Sequence, residues 1–219
     1  MSHFLKKLLR KLRIRDHGKN NTVKLPQKFK CNNALISIKG NNNIIEIEEN
    51  FAYISIEVES FGGKDNLTID VGNRTTFMNT HITCFEDNSS VIIGEDCIFS
   101  YDTVLYNTDG HPIYAIDGDE PLNRASHIKL GNHLWIAHSA VVLKNVELAD
   151  NIIIGRNALV TKSFMQKNCV LAGLPAKIVK ENVRWELQFP KPGQKSKYKG
   201  LDREPVPALR VKDTPPSAA

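Results

Sequence analysis

His111 stands in the stretch NTDGHPIY (107–114), with Pro112 fixing the backbone directly after it. A hydroxyl is a poor nucleophile near neutral pH, and a neutral imidazole within hydrogen-bond reach can take its proton as attack proceeds. That makes His111 the candidate general base, with a loop histidine that only caps a turn as the plainer alternative. Tyr106, Asn107 and Asp109 precede it closely enough to touch an acceptor hydroxyl or to orient the ring. Of the remaining histidines, His3 and His17 lie in an N-terminal extension, and His81, His127, His133 and His138 are expected at the surface. His81 and His111 lack a clear third histidine at matching spacing, so no metal is expected. Cys31, Cys84, Cys97 and Cys169 form no CxxC pair and read as buried reduced thiols.

The elements that must hold His111 announce themselves by a six-residue period. From Leu130 the chain divides into LGNHLW, IAHSAV, VLKNVE, LADNII, IGRNAL and VTKSFM, so Leu130, Ile136, Val142, Leu148, Ile154 and Val160 share position one. Position five repeats as Leu134, Ala140, Val146, Ile152, Ala158 and Phe164. Neither a helix nor an alternating hairpin strand gives a pure period of six. A β-solenoid does, with one short strand and one corner per hexad and three hexads per triangular coil. Position one is then axial, while position three (Asn132, His138, Lys144, Asp150, Arg156, Lys162) should reach the outside. The pattern recurs at 93–104, more loosely at 71–82, and as irregular early coils around Ile36/Ile38, Ile45/Ile47, Ile54/Ile56 and Leu67/Ile69. Gly40 and Asn41 to Asn43 suit corners, where left-handed backbone is needed.

This divides the chain into a β-helix over 34–170 with an inserted loop at 105–129, a closing segment at 171–190 and a Pro-rich tail at 191–219. Residues 16–33 read as a linker. Over 1–15, Phe4, Leu5, Leu8, Leu9 and Leu12 share one face of a helix whose other faces carry six bases, a pattern suited to an anionic membrane or to a neighbouring subunit. With 219 residues, 24% of them charged, the chain is neither disordered nor fibrous. The net charge of +5 resides in the two tails, leaving an acidic body that is a poor nucleic-acid surface. No apolar run is long enough to span a bilayer and no signal-peptide h-region is seen, so a cytoplasmic location is expected, with peripheral membrane contact through 1–15.

The hexads, NTDGHPIY, GNHLWIAHSA (131–140) and AGLPAKIVKENV (172–183) together resemble the hexapeptide-repeat acetyltransferases. The stretch from Ile93 to Trp185 looks most like the bacterial surface-polysaccharide O-acetyltransferases, such as those acting on polysialic-acid capsule. The resemblance implies a left-handed parallel β-helix, a homotrimer with sites between adjacent prisms, and transfer of acetyl from acetyl-CoA to a glycan hydroxyl. It further implies that His111 is the base and that Trp135 lines the thioester end of the CoA channel. A trimer-contact tryptophan is the alternative for Trp135. The main-chain N–H at His138 would hold the oxyanion. Ala137, Arg156 and Thr161 match groove positions, though Arg156 replaces a usually small residue, and Lys177 and Lys180 match the nucleotide end. Asn79 or Thr80 falls near a sugar-binding asparagine of galactoside acetyltransferases. N-acetylation of an amino sugar or its nucleotide-linked form is the second enzyme reading, and a non-catalytic or metal-binding solenoid is the third.

Overall fold

The computed structural model describes residues 12–27, 29–49, 51–59, 65–124 and 127–187, and among them every regular element is a β-strand. In chain order these are β1 (Leu12–Asp16), β2 (Thr22–Lys24), β3 (Lys30–Lys39), β4 (Ile44–Ile47), β5 (Phe51–Glu59) and β6 (Thr68–Val71). There follow β7 (Thr76–Cys84), β8 (Ser90–Ile93), β9 (Ile98–Phe99), β10 (Thr103–Asn107), β11 (His127–Leu130) and β12 (Trp135–Ile136). The last are β13 (Val141–Leu143), β14 (Val146–Leu148), β15 (Ile152–Ile154), β16 (Leu159–Val160), β17 (Cys169–Gly173) and β18 (Ala176–Glu181).

Each strand pairs in parallel with the strand one coil away, the β17–β18 hairpin being antiparallel. A first face stacks β2, β4, β6, β8, β11 and β14, which counts six coils. A second carries β9, β12, β15 and β17, and a third carries β10, β13 and β16. The strands β3, β5 and β7 are longer and run round the corner between the second and third faces, since β7 pairs with both β9 and β10.

The hexad register is the packing register. Leu130 sits between Ile93 and Leu148, and Ile136 between Phe99 and Ile154, so position-one side chains stack along the axis. All six of them are buried, as are the six at position five. Phe77 and Phe99 stack inside the prism with ring centroids 4.8 Å apart. Gly131 permits close approach of coils, because a Cβ there would stand 2.8 Å from the backbone of Ala149.

The corners explain why so many asparagines separate the rungs. Left-handed backbone recurs in columns: Arg74, Asp96, His133 and Asn151 between the first and second faces, Asn79, Asp102, Ser139 and Asn157 between the second and third, and Asn42, Asn66, Asn88 and Asn145 between the third and first. Asparagine and aspartate tolerate this region best among residues with a Cβ. Asn132 departs from the expectation that position three is exposed. Its side chain is 7% exposed because its Oδ1 accepts from the Glu95 N–H at 2.9 Å, tying two coils together at a corner.

The expected N-terminal helix is not found. Residues 12–15 belong to β1, which pairs in parallel with Ala34–Ile38 of β3, and residues 1–11 lie outside the described residues. The edge of β3 offers unpaired backbone groups, and alternation of Leu12 and Ile14 with Arg13 and Arg15 suits a capping strand. The solenoid therefore begins before residue 34, with β2 and the start of β3 inside the stretch read as a linker. The tail at 191–219 lies outside the described residues. Among the described residues no helix is long and apolar enough to cross a membrane.

Candidate active site

His111 is carried by the loop between β10 and β11, at the corner joining the third face to the first. The loop is tied down by one side chain. Asn123 Oδ1 accepts from the Ile113 N–H at 2.8 Å, and its Nδ2 donates to Asp109 Oδ2 at 2.7 Å and to the His111 carbonyl at 2.9 Å. Lys144, one coil further on, donates to Asp109 Oδ2 at 2.5 Å and to the Asn123 carbonyl, so loop and prism share an anchor. The Lys144 ammonium holds the Asp109 carboxyl below the usual carboxylate range, against a smaller opposing effect of burial. At the base of the loop Gly110 adopts φ 75° and its N–H donates to Thr108 Oγ1, the small turn that swings His111 outward.

His111 is exposed and forms one wall of an open cleft of about 290 Å³. Phe85, Glu86 and Asp87 supply the opposite wall from the coil below, and Pro112, Tyr114, Pro121 and Arg124 complete it. Apolar ring faces beside carboxylate acceptors are the groups that hold a sugar ring, and an imidazole beside them is placed to take a hydroxyl proton. The periodicity gave no sign of Phe85, Glu86, Tyr114 or Asn123, since these contacts join residues that no repeat relates.

Asn107 does not reach the cleft. It is fully buried in the prism, where its Nδ2 donates to Cys84 Sγ at 3.6 Å, because the alternation of β10 turns Thr103, Leu105 and Asn107 inward. Tyr106 instead faces outward toward Gly110, while Asp109 serves as the anchor already described. Asn79 lies at a different corner, where its Nδ2 donates to Asp102 Oδ1 at 2.6 Å. Asp102 Oδ2 is 3.6 Å from His138 Nε2, and His138 Nδ1 pairs with Ser139 Oγ at 2.9 Å. Thr80 is buried and hydrogen-bonded to Thr103.

Trp135 points out of the second face with 40% of its surface exposed, and it does not line the His111 cleft. Trp185 tilts against it with ring centroids 6.2 Å apart. Trp185 also stacks on His133 at 4.2 Å and donates its indole N–H to the His133 carbonyl at 3.0 Å. Burial against this ring pushes the His133 imidazole below its ordinary range, which favours the neutral form, and His133 is half-buried rather than a surface residue. Ala137, His138 and Arg156 gather at the corner between the second and third faces. Thr161 follows β16, and Lys177 and Lys180 lie on β18, exposed. One chain thus does not gather the residues assigned to donor and acceptor into one cleft. The four cysteines form no disulfide; Cys84, Cys97 and Cys169 are buried, and burial pushes the Cys97 thiol up to about 12.

No family model matches the chain. It is 33% identical over 189 residues to the polysialic acid O-acetyltransferase of Neisseria meningitidis, covering 78% of this chain and 87% of that protein. It is 31% identical to a polysialic acid O-acetyltransferase of Escherichia coli O1:K1 over 52% of this chain and 37% of that longer relative. A crystal structure of a polysialic acid O-acetyltransferase superposes with a TM-score of 0.67 at 28% identity, over 81% of this chain and 93% of that one.

Proposed function

The chain belongs to the hexapeptide-repeat acetyltransferases, close to the polysialic acid O-acetyltransferases, and from that premise we propose that it moves acetyl from acetyl-CoA to a hydroxyl of a bacterial surface polysaccharide. The observation that carries this reading is the anchored loop that presents His111 beside the ring faces of Phe85 and Tyr114. In the reaction His111 takes the proton of the acceptor hydroxyl as its oxygen attacks the thioester carbonyl carbon. The resulting oxyanion is held by the main-chain N–H of His138, and Trp135 packs at the thioester end. Collapse breaks the carbon–sulfur bond, and the CoA thiolate recovers the proton from the imidazolium. A base of this kind contributes typically 10²–10⁴-fold.

Donor and acceptor residues lie at different edges of the prism, which supports a homotrimer of left-handed coils with each site shared between neighbours. The second and third faces suit such contacts, for Ile98, Ile153 and Val170, and Val104, Val141, Leu143 and Leu159, point outward half-buried. The first face instead carries an outward ion pair, Lys129 with Glu147 at 2.9 Å. Trp135, Ala137, His138, Arg156, Thr161, Lys177 and Lys180 would line the CoA path, in the cytoplasm where acetyl-CoA is made.

Incubation with labelled acetyl-CoA and a panel of surface glycans tests the proposal. Label that enters one glycan and is released by mild alkali identifies an ester, and with it O-transfer. Alkali-resistant label on an amino sugar would identify N-transfer, and no label on any glycan would refute the reading.

A further inference from the structure

The His111 cleft is acidic. Glu86 and Asp87 lie in its wall, Asp109 stands two residues before the base, and Asp117, Asp119 and Glu120 occupy the exposed loop between the lining residues Tyr114 and Pro121. That loop folds back on itself, Leu122 N–H donating to the Ile113 carbonyl at 2.7 Å, so its acids are kept at the cleft rim. Against these six carboxylates the same region holds Arg124 and Lys144, and Lys144 is bonded to Asp109. The body from 16 to 190 is itself acidic.

Carboxylates accept hydrogen bonds from sugar hydroxyls, and Phe85 and Tyr114 supply apolar faces for a ring. They repel an acceptor that carries a carboxylate on every residue. The rim acids lie within a short stretch of chain from the base, and exposed charges act over about 8 Å at physiological salt. We propose that the acceptor is an uncharged glycan segment, and that the acidic rim excludes polyanionic chains of the polysialate kind. The inference rests on the O-acetyl transfer reading and narrows its substrate class.

A cleft lined by one sign of charge changes the local concentration of a charged substrate by at least about tenfold. The full-length oligomer is therefore assayed with labelled acetyl-CoA against neutral oligosaccharides and against oligosialic acid, at low and high salt, with glycan binding measured separately on an array. The expected result is kcat/KM at least about tenfold higher on a neutral acceptor, with the sialate rate rising as salt screens the rim. The triple variant Asp117→Asn, Asp119→Asn, Glu120→Gln should raise sialate use and leave the neutral acceptor nearly unchanged. Equal or better use of oligosialate at low salt, weakening as salt is added, would overturn the inference while leaving O-transfer intact. Neither binding nor transfer to any glycan would overturn the O-transfer reading, and the inference with it.

Discussion

Replacing Asn123 by Ala removes three hydrogen bonds at once, to the Ile113 N–H, the Asp109 carboxylate and the His111 carbonyl. Each such bond contributes a net ~0.5–1.5 kcal/mol, and these are partly exposed, so the lower end applies and the loop loses about 1.5–3 kcal/mol of local order. At 1.4 kcal/mol per tenfold, the population that presents His111 correctly falls by about 10–100-fold, and kcat/KM falls with it. None of the three partners belongs to the axial core, so the melting temperature should stay within about a degree or two of the parent. The informative pair of measurements is steady-state acetyl transfer beside thermal unfolding, with hydrogen exchange at Ile113 as the local probe. Asn123→Asp keeps the acceptor for Ile113 but sets a carboxylate against Asp109, and should not rescue activity. An Asn123→Ala protein with parental kcat/KM would refute the idea that this side chain holds the base in place.

Ile154→Ala, on the prism axis, should cost about 2–5 kcal/mol in denaturant unfolding, and an unchanged midpoint would contradict the axial assignment. Asp109 has its carboxyl depressed by Lys144, so the anchor contributes above the unfolded carboxyl's value and is lost as pH falls through the lower folded value. Lys144→Met should therefore move the acid-side loss of loop protection to higher pH in hydrogen exchange, and an unmoved profile would dissociate the pair from loop order. Trp135→Ala should weaken acetyl-CoA binding as well as turnover in calorimetry and rate assays, whereas loss of the trimer alone would make it a contact residue.

The late coils were legible because their inward residues recur without interruption from Leu130 to Phe164. Earlier coils hid the same architecture. Arg74 and Asp96 are 22 positions apart at one corner where His133 and Asn151 are 18, since β7 spends extra residues running round a corner at Asn79. Asn132 was misread because hexad position predicts where a side chain starts, and not that its carbonyl oxygen turns back to cap a neighbouring coil. Asn107 carried a usable signal, for counting by twos from the buried Leu105 sends it inward. His111 was visible from its motif, but its anchor was not, because Asn123 and Lys144 reach Asp109 across 14 and 35 positions. The acidic rim was written in the sequence, and only the folding of 113–122 back on itself gives it a place.

The most direct measurement of the account is the rate of acetyl transfer by His111→Ala beside its assembly and acetyl-CoA affinity. His111 is exposed in a projecting loop and contributes little packing, so the variant should fold, assemble and bind the donor as the parent does. Its transfer rate should fall by about 10²–10⁴-fold, and the decline of the parent's rate toward acid, as the imidazole protonates, should disappear. A correctly assembled His111→Ala enzyme turning over near the parental rate would contradict the assignment of the base.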